Sequence, residues 1–487
     1  MWDGGAKIGQ IMTVSGPVGN HTYSFNWTPF DNIVQRCKQS LPIYTGAPNA
    51  PMRIIYTLGD TPCGAALAAY GTYPSGTPPC FINGTTLQCP AGDTCSCAQP
   101  DMAYGCAAYD DNTHGGSSET DKTMLTFLAN LFSHAASLGV VIDAVELQNE
   151  WDTTIFMCWA QASACGSPAT NPHSTVNATT NQALVQRGWD VLAIRNCKSP
   201  TTQLYSPSWH QLTIQPGEIF DNFINTSTTV HALTAGQNGY PAGCANLPSQ
   251  VVFGWQVINV VNGHPDGNQS TGPTYNKPES MIDTNNFLLC ELTAGCKSAS
   301  GNSHSGNAFL NVVSFPRTLD EFGAKQALSP PTPADCTESN CLEADAMRRY
   351  TLCAFLGYQD CDWYQMDSKG AYVALVNTIG GNGFDKVAKW LIGSTVGPFT
   401  NPVGTVYVEA YNTPSSASAE IVWDSSATEA NNGFTCPNTI GGAGCTTVVV
   451  LPGFTTYQSV DGVQHAVNAS HQIAVGGKPV CVSTGPC

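Results

Sequence analysis

The segment "SETDKTMLTFLANLFSHAASLG" (118–139), followed almost at once by "VIDAVELQN" (141–149), decides the fold. The first part opens on Ser118 with Asp121 three positions on, in the manner of a capping box. It carries apolar residues at helical spacing and stops at Gly139. The second part is short, apolar and rich in Val, Ile and Leu, the pattern of a strand buried on both faces. Helix followed by buried strand is one unit of an α/β fold.

The same unit recurs on either side. "MRIIYTLGD" (52–60), "TQLYSPSW" (202–209), "GWQVINVVNG" (254–263) and "FLNVVSFPR" (309–317) read as further strands. "NQALVQRGWDVLAIRNC" (181–197) and "EADAMRRYTLCAFLGYQ" (343–359) read as further helices. Strands alternating with helices predict a parallel sheet. No G-x-G-x-x-G follows a strand, so a (β/α)8 TIM barrel is favoured over a doubly wound dinucleotide-binding sheet. From about residue 399 the helical patterns give way to "TVYVEAY" (405–411), "AEIVWD" (419–424), "TTVVVLPG" (446–453) and "HQIAVGGKPVCV" (471–482), separated by turn residues. The expected organisation is a barrel over 1–398 and a small C-terminal antiparallel β-sandwich over 399–487. The Cys-, Gly- and Pro-rich stretch 61–117 reads as loops over the barrel mouth.

Composition narrows the function. Only 11% of the 487 residues are charged, against about 25% in ordinary proteins, so Ser, Thr, Asn, Gln and Gly must cover the surface. A net charge of −17 and a pI near 4.8 argue against nucleic acid or an anionic membrane, which need a cationic face. A neutral partner fits better. Twenty-one cysteines indicate an oxidising compartment, so the protein reads as secreted and extracellular. Short gaps such as Cys158 to Cys165, Cys290 to Cys296, Cys336 to Cys341, Cys436 to Cys445 and Cys481 to Cys487 suit local loop closures, with one cysteine left over. "CSC" (95–97) lacks the partners of a zinc site, and no metal or other cofactor is expected. No run approaches the length of a membrane span. The start "MWDGGAKIGQ" lacks the apolar region of a signal peptide, so removal of the export signal is expected.

A barrel keeps its chemistry at the C-terminal ends of its strands. There stand Glu150, directly after Asn149, and Glu321 in "FPRTLDEFGA" (315–324). Two carboxylates flanking one sugar bond are what glycoside hydrolysis requires, about 5–5.5 Å apart for retention and roughly 6.5–9.5 Å apart for inversion. Glu146 shares a strand face with Glu150 by alternation and is expected to be paired inside the barrel.

"ELQNEWD" (146–152) and "LDEFG" (319–323) resemble the strand-four and strand-seven signatures of the clan A glycoside hydrolases. The nearest likeness is to the family 39 type of β-xylosidases and exopolysaccharide hydrolases and their secreted microbial relatives. It extends through "FNWTPFDNIVQRC" (25–37), "YTLGDTP" (56–62), "MRRYTLCAFLGYQDCDWYQMDSKG" (347–370) and "KWLIGSTV" (389–396) into the tail. The resemblance implies a retaining β-glycosidase on a carbohydrate such as xylan or β-glucan, with Glu150 as acid/base, Glu321 as nucleophile and Asn149 binding the sugar 2-hydroxyl. It further implies His264 orienting the nucleophile, Trp363 and Tyr364 as sugar platform, and Trp209 and Trp151 as additional sugar contacts. The chain departs from the pattern at Trp151, where relatives carry Pro, and at Met366 and Asp60. "MWDGGAK" resembles the end of an early barrel strand, so the first strand and an Arg near the nucleophile are expected to lie before Met1. Two other readings stay open: a glycan-binding protein without catalysis, and a metal-dependent hydrolase using His264 and Asp266. The particular sugar, internal or terminal cleavage, and oligomeric state are not legible.

Overall fold

The computed structural model describes residues 8–15, 22–45, 53–58, 81–83, 86–88, 94–96, 119–148, 178–208, 223–263, 278–279, 281–282, 285, 315–322, 339–363, 379–427, 436 and 440–487. The chain divides into two compact units, 1–263 with 290–316, and 264–289 with 317–487.

The first unit contains α1 (Thr28–Thr45), β1 (Ile55–Thr57), α2 (Glu119–Ser137), β2 (Ala144–Glu146), α3 (Ala178–Lys198), β3 (Gln203–Tyr205) and β4 (Val261–Asn262). α2 buries Met124, Leu125, Phe127, Leu128, Leu131, Phe132 and Ala135, a stripe at helical spacing. It ends where Gly139 takes a φ of +68°. The N–H groups of Gly139 and Val140 then turn back to the carbonyls of Ala136 and Ala135, each at 3.0 Å. The chain enters β2, which pairs in parallel with β1 on one side and β3 on the other. Ala144, Val145 and Glu146 are all buried, as expected of a strand covered on both faces. Asp143 pins the register at the strand entrance by accepting the Ile54 N–H at 2.7 Å. A parallel bridge between Tyr205 and Val260 carries the sheet towards β4.

Two expectations for this unit need correction. Residues 254–257 form a 3-10 turn, and the strand that follows is only Val261–Asn262. Gly254 is why the turn fits, because a Cβ there would meet the Phe223 carbonyl oxygen at 2.1 Å. The insert 61–117 holds a small antiparallel sheet of its own, Phe81–Asn83, Thr86–Gln88 and Thr94–Ser96.

The second unit begins its α/β part with β5 (Arg317–Phe322), α4 (Ser339–Phe355), β6 (Tyr358–Trp363) and α5 (Ile379–Leu391), with β5 and β6 parallel. Here the strand lies later than the pattern "FLNVVSFPR" suggests, and Glu321 falls inside it. The helix expected over 343–359 stops at Phe355, because Gly357 at a φ of +73° reverses the chain and gives Tyr358 and Gln359 to β6.

The antiparallel part comprises β7 (Thr395–Val396), β8 (Val406–Asn412), β9 (Ser418–Asp424), β10 (Thr446–Val449), β11 (Thr456–Gln458), β12 (Gln464–Ala466), β13 (Gln472–Val475) and β14 (Val480–Ser483). Six of these form one sheet in the order β7-β8-β9-β14-β11-β12, and β10 pairs with β13. Val422, Val480 and Val482 from the larger sheet pack on Ile473 and Val475 from the smaller, the core of a sandwich. Ion pairs on α4 tie this sandwich to the α/β part. Glu343 meets Lys478 at 2.7 Å, and Arg348 binds Glu279, which also accepts the Trp423 indole N–H at 2.9 Å.

The α/β alternation and the C-terminal antiparallel sandwich are therefore present. Among the described residues the parallel strands do not close into a ring of eight. The expected strand over 309–314 and the start of the chain lie outside the described residues.

Two stability measurements follow from the second unit. Lys478→Met leaves the buried Glu343 carboxylate without its cation and should cost about 3–5 kcal/mol. The double change with Glu343→Leu should recover most of that loss in denaturant unfolding. Glu409 is fully buried and accepts the Thr400 N–H at 3.1 Å. Burial pushes its carboxyl up to about 7 from an ordinary 4.5. The unfolded chain therefore gives up this proton first, and stability should fall as pH rises from about 4.5 to 7, then level off. Glu409→Gln should flatten that slope, which melting curves across the range would read.

Candidate active site

The sheet of the first unit delivers a buried polar layer to its C-terminal edge. Glu146, the last residue of β2, has no exposed surface. Its carboxylate accepts the Thr57 hydroxyl of β1 at 2.5 Å and the Ser208 N–H beyond β3 at 3.2 Å. Pairing of the central strand runs past its formal end. Leu58 donates to the Glu146 carbonyl at 2.9 Å, and Leu147 donates to the Tyr205 carbonyl at 3.3 Å. Pro207 has no N–H, so the ladder skips to Ser208, which donates to the Gln148 carbonyl at 3.0 Å. Among the described residues the pairing thus reaches Gln148, and Asn149 and Glu150 follow it directly in the sequence.

Ser206, Ser208 and Asn262 complete the layer, all buried. The Ser206 hydroxyl accepts the Asn262 N–H at 2.9 Å and donates to the Pro207 carbonyl at 3.0 Å, joining the ends of β3 and β4. From α3, Arg187 donates to the Leu147 carbonyl at 3.0 Å and to Gln148 Oε1. Sequence reasoning expected Glu146 to be paired, and it is. It overlooked Gln148, Arg187 and the two serines. Strand alternation from Glu146 through Gln148 to Glu150 was the available signal for Gln148; nothing in a helix-spaced "VQRGW" marks Arg187 as reaching a strand end.

In the second unit, Glu321 lies one residue before the end of β5, where Phe322 pairs with Trp363 at the end of β6. Glu321 and Trp363 are therefore brought to the same end of two neighbouring parallel strands. The Trp363 ring is buried and stacks on Tyr350 of α4, with centroids 6.3 Å apart. Burial also holds the Tyr350 hydroxyl above the usual tyrosine range, with Asp362 adding to the effect. At the opposite end of β5, Arg317 donates to the Leu356 carbonyl at 3.0 Å and lies over the Tyr358 ring, 5.5 Å from its centroid. Asn149, Glu150, Trp151, Trp209, His264 and Tyr364 lie outside the described residues. Among the described residues, no group of three His, Cys, Asp or Glu side chains could hold a metal ion, and no helix is long and apolar enough to cross a membrane.

No family model and no curated protein matches the chain. Similar solved structures include the catalytic domain of GH30 xylanase C from Talaromyces cellulolyticus, 10% identical over 97% of this chain and 84% of that one, with a TM-score of 0.44. They also include the GH51 arabinofuranosidase from Xanthomonas axonopodis pv. citri, 10% identical over 99% of this chain and 93% of that one, with a TM-score of 0.43. At such identities and scores these likenesses carry no weight for the chemistry, which rests on the residues.

The burial of Glu146 between its two donors makes it a structural residue of the sheet. Glu146→Gln keeps the shape but weakens the hold on Thr57 and Ser208. It should lower stability by about 1–3 kcal/mol while the folded fraction keeps its turnover within about tenfold. A complete loss of turnover with stability unchanged would move Glu146 into the chemistry.

Proposed function

We propose that the protein is a secreted retaining β-glycosidase on a (β/α)8 barrel, hydrolysing polysaccharide or oligosaccharide of xylan or β-glucan type by double displacement. Glu321 attacks the anomeric carbon while Glu150 gives its proton to the departing glycosidic oxygen, leaving a glycosyl ester on Glu321. Glu150, now a carboxylate, takes a proton from water, whose oxygen attacks the same carbon and releases Glu321. Asn149 holds the sugar 2-hydroxyl, His264 orients Glu321, and Trp363, Tyr364, Trp209 and Trp151 shape the sugar subsites.

The observation that carries this reading is the pairing of the central strand as far as Gln148. It supports a placement of Asn149-Glu150 at the carboxyl end of a parallel sheet, where such folds keep their reactive groups. The position of Glu321 near the same kind of edge on β5 supports its part. Disulfides Cys197–Cys244, Cys353–Cys361, Cys436–Cys445 and Cys481–Cys487 support an oxidising, extracellular setting. The low charge and acidic balance suit a neutral carbohydrate partner.

Glu150→Gln should reduce hydrolysis of natural glycan by about 10²–10⁴-fold, with much less effect on activated aryl glycosides, whose leaving groups need little acid assistance. Glu321→Ala should be inactive until azide is added, then give a glycosyl azide of anomeric configuration opposite to the substrate. Unchanged glycan hydrolysis in either variant removes the assignment. Glycan binding by calorimetry with no hydrolysis by the intact protein would identify a binding protein instead.

A further inference from the structure

Asn26, Asn225 and Asn468 each head an Asn-x-Ser/Thr sequence, and their side chains lie among the described residues. Two of them are asparagine for a structural reason. Asn26 Oδ1 accepts the Thr28 N–H at 3.2 Å at the entrance to α1. Asn468 Oδ1 accepts the N–H groups of Ser470 and Gln472 at 2.9 and 2.7 Å, and its Nδ2 donates to Gln472 Oε1 at 3.4 Å, which builds the turn between β12 and β13. Asn225 does no such work. It is exposed, and among the described residues its side-chain amide has no hydrogen-bond partner.

The fold nevertheless holds Asn225 outward. Phe223 and Ile224 before it are fully buried. Thr226 after it donates to the Phe223 carbonyl at 3.1 Å and accepts the Gly254 N–H at 3.0 Å. The chain then enters a hairpin in which Ser227–Val230 pairs with Gln250–Phe253. Thr228 and Val252, opposite one another, are buried. Ser227 and Thr229 face the other way and are exposed. Residues opposite one another in an antiparallel pair share a face, and here that outer face is partly apolar. Val251, opposite Thr229, is 60% exposed, and Phe253, opposite Ser227, is half-buried. Ser227, which completes the sequence begun at Asn225, stands on this same face.

We propose that Asn225 carries an N-linked oligosaccharide that shields the outer face of this hairpin. This rests on the extracellular setting proposed above and not on the glycosidase chemistry. An oligosaccharyltransferase of the secretory route recognises the hydroxyl residue two positions on, Ser227, and takes the sugar from a polyprenyl diphosphate donor. Asn225 Nδ2 attacks the anomeric carbon of the first sugar. The bond from that carbon to the diphosphate oxygen breaks, the diphosphate leaves with the electron pair, and Nδ2 gives up one proton. The fold uses neither end of this amide, so attachment costs no native hydrogen bond. A bulky, hydrated chain at this point covers apolar surface that the hairpin otherwise leaves in water.

The test uses the full chain exported by a eukaryotic secretory host. Its peptides are treated with peptide:N-glycosidase in heavy-oxygen water, which turns each glycosylated Asn into an Asp carrying one heavy oxygen. The expected result is a label at Asn225 in most chains, lost in Ser227→Ala and kept in Ser227→Thr. Light scattering should then find that Ser227→Ala forms larger species at concentrations where wild type and Ser227→Thr do not. The disulfide Cys197–Cys244, read in the same digest, reports folding in an oxidising compartment. Exported protein with this disulfide formed and Asn225 unlabelled would overturn the proposal and leave the extracellular setting standing. A chain retained in the cell with both thiols free would overturn the two together. A glycan whose loss leaves self-association unchanged would overturn the shielding.

Discussion

Glu146 sets the height at which the three parallel strands of the first unit end. A carboxylate without exposed surface is tolerable only where donors meet it, and here they come from both neighbours, Thr57 on β1 and Ser208 beyond β3. A slip of β2 by one residue would turn that carboxylate to the other face and leave both donors unmatched. The register pinned by Asp143 at the strand entrance is thus fixed again at the strand's end by Glu146, the one polar residue of Ala144–Glu146. From that fixed point the chain runs two residues further in a paired ladder, to Gln148, before the Asn-Glu pair begins.

The second unit uses its scarce charges in the same manner. With only 11% of residues charged, α4 still buries Glu343, Asp345, Arg348 and Arg349. Each has an opposite charge within reach: Arg349 meets Asp345 along the helix at 2.8 Å, Glu343 meets Lys478, and Arg348 meets Glu279. Together with the Trp390 indole, which donates to Gln458 at 3.0 Å, the Glu343–Lys478 pair and the Arg348–Glu279–Trp423 contacts bind the sandwich to the helices before it. Buried pairs of this kind add little net stability over apolar packing but penalise alternatives in which one partner is stranded. The sandwich in this unit is thereby held to α4 and α5 by specific contacts rather than by apolar packing alone.

The alternation of helix and strand was legible because it depends on periodicity and stop signals. α2, its Gly139 terminus and the doubly buried β2 all follow from "SETDKTMLTFLANLFSHAASLG" and "VIDAVELQN". Where reading failed, packing overrode pattern. "GWQVINVVNG" is apolar enough for a long strand, yet Gly254 fits against the Phe223 backbone and the segment turns instead. Gly357 inside an apolar run looked like a helical residue and proved to be a stop. In the candidate site, the paired state of Glu146 followed from its face of the strand. The grip of Arg187 on Gln148 did not, because it depends on a close helix approach that only the folded chain reveals. Trp363, expected as a sugar platform, has its ring buried against Tyr350, a packing contact that the sequence does not reveal.

The most direct test of the central claim, that Glu321 forms a glycosyl ester, is covalent trapping. The protein is incubated with a panel of 2-deoxy-2-fluoro β-glycosides bearing a good leaving group, weighed intact, then digested and mapped. The expected result is one sugar per chain, attached at Glu321, with the mass increment identifying a pentose or a hexose. Attachment at a different residue, or hydrolysis of natural glycan with inverted anomeric configuration and no adduct, would contradict the account.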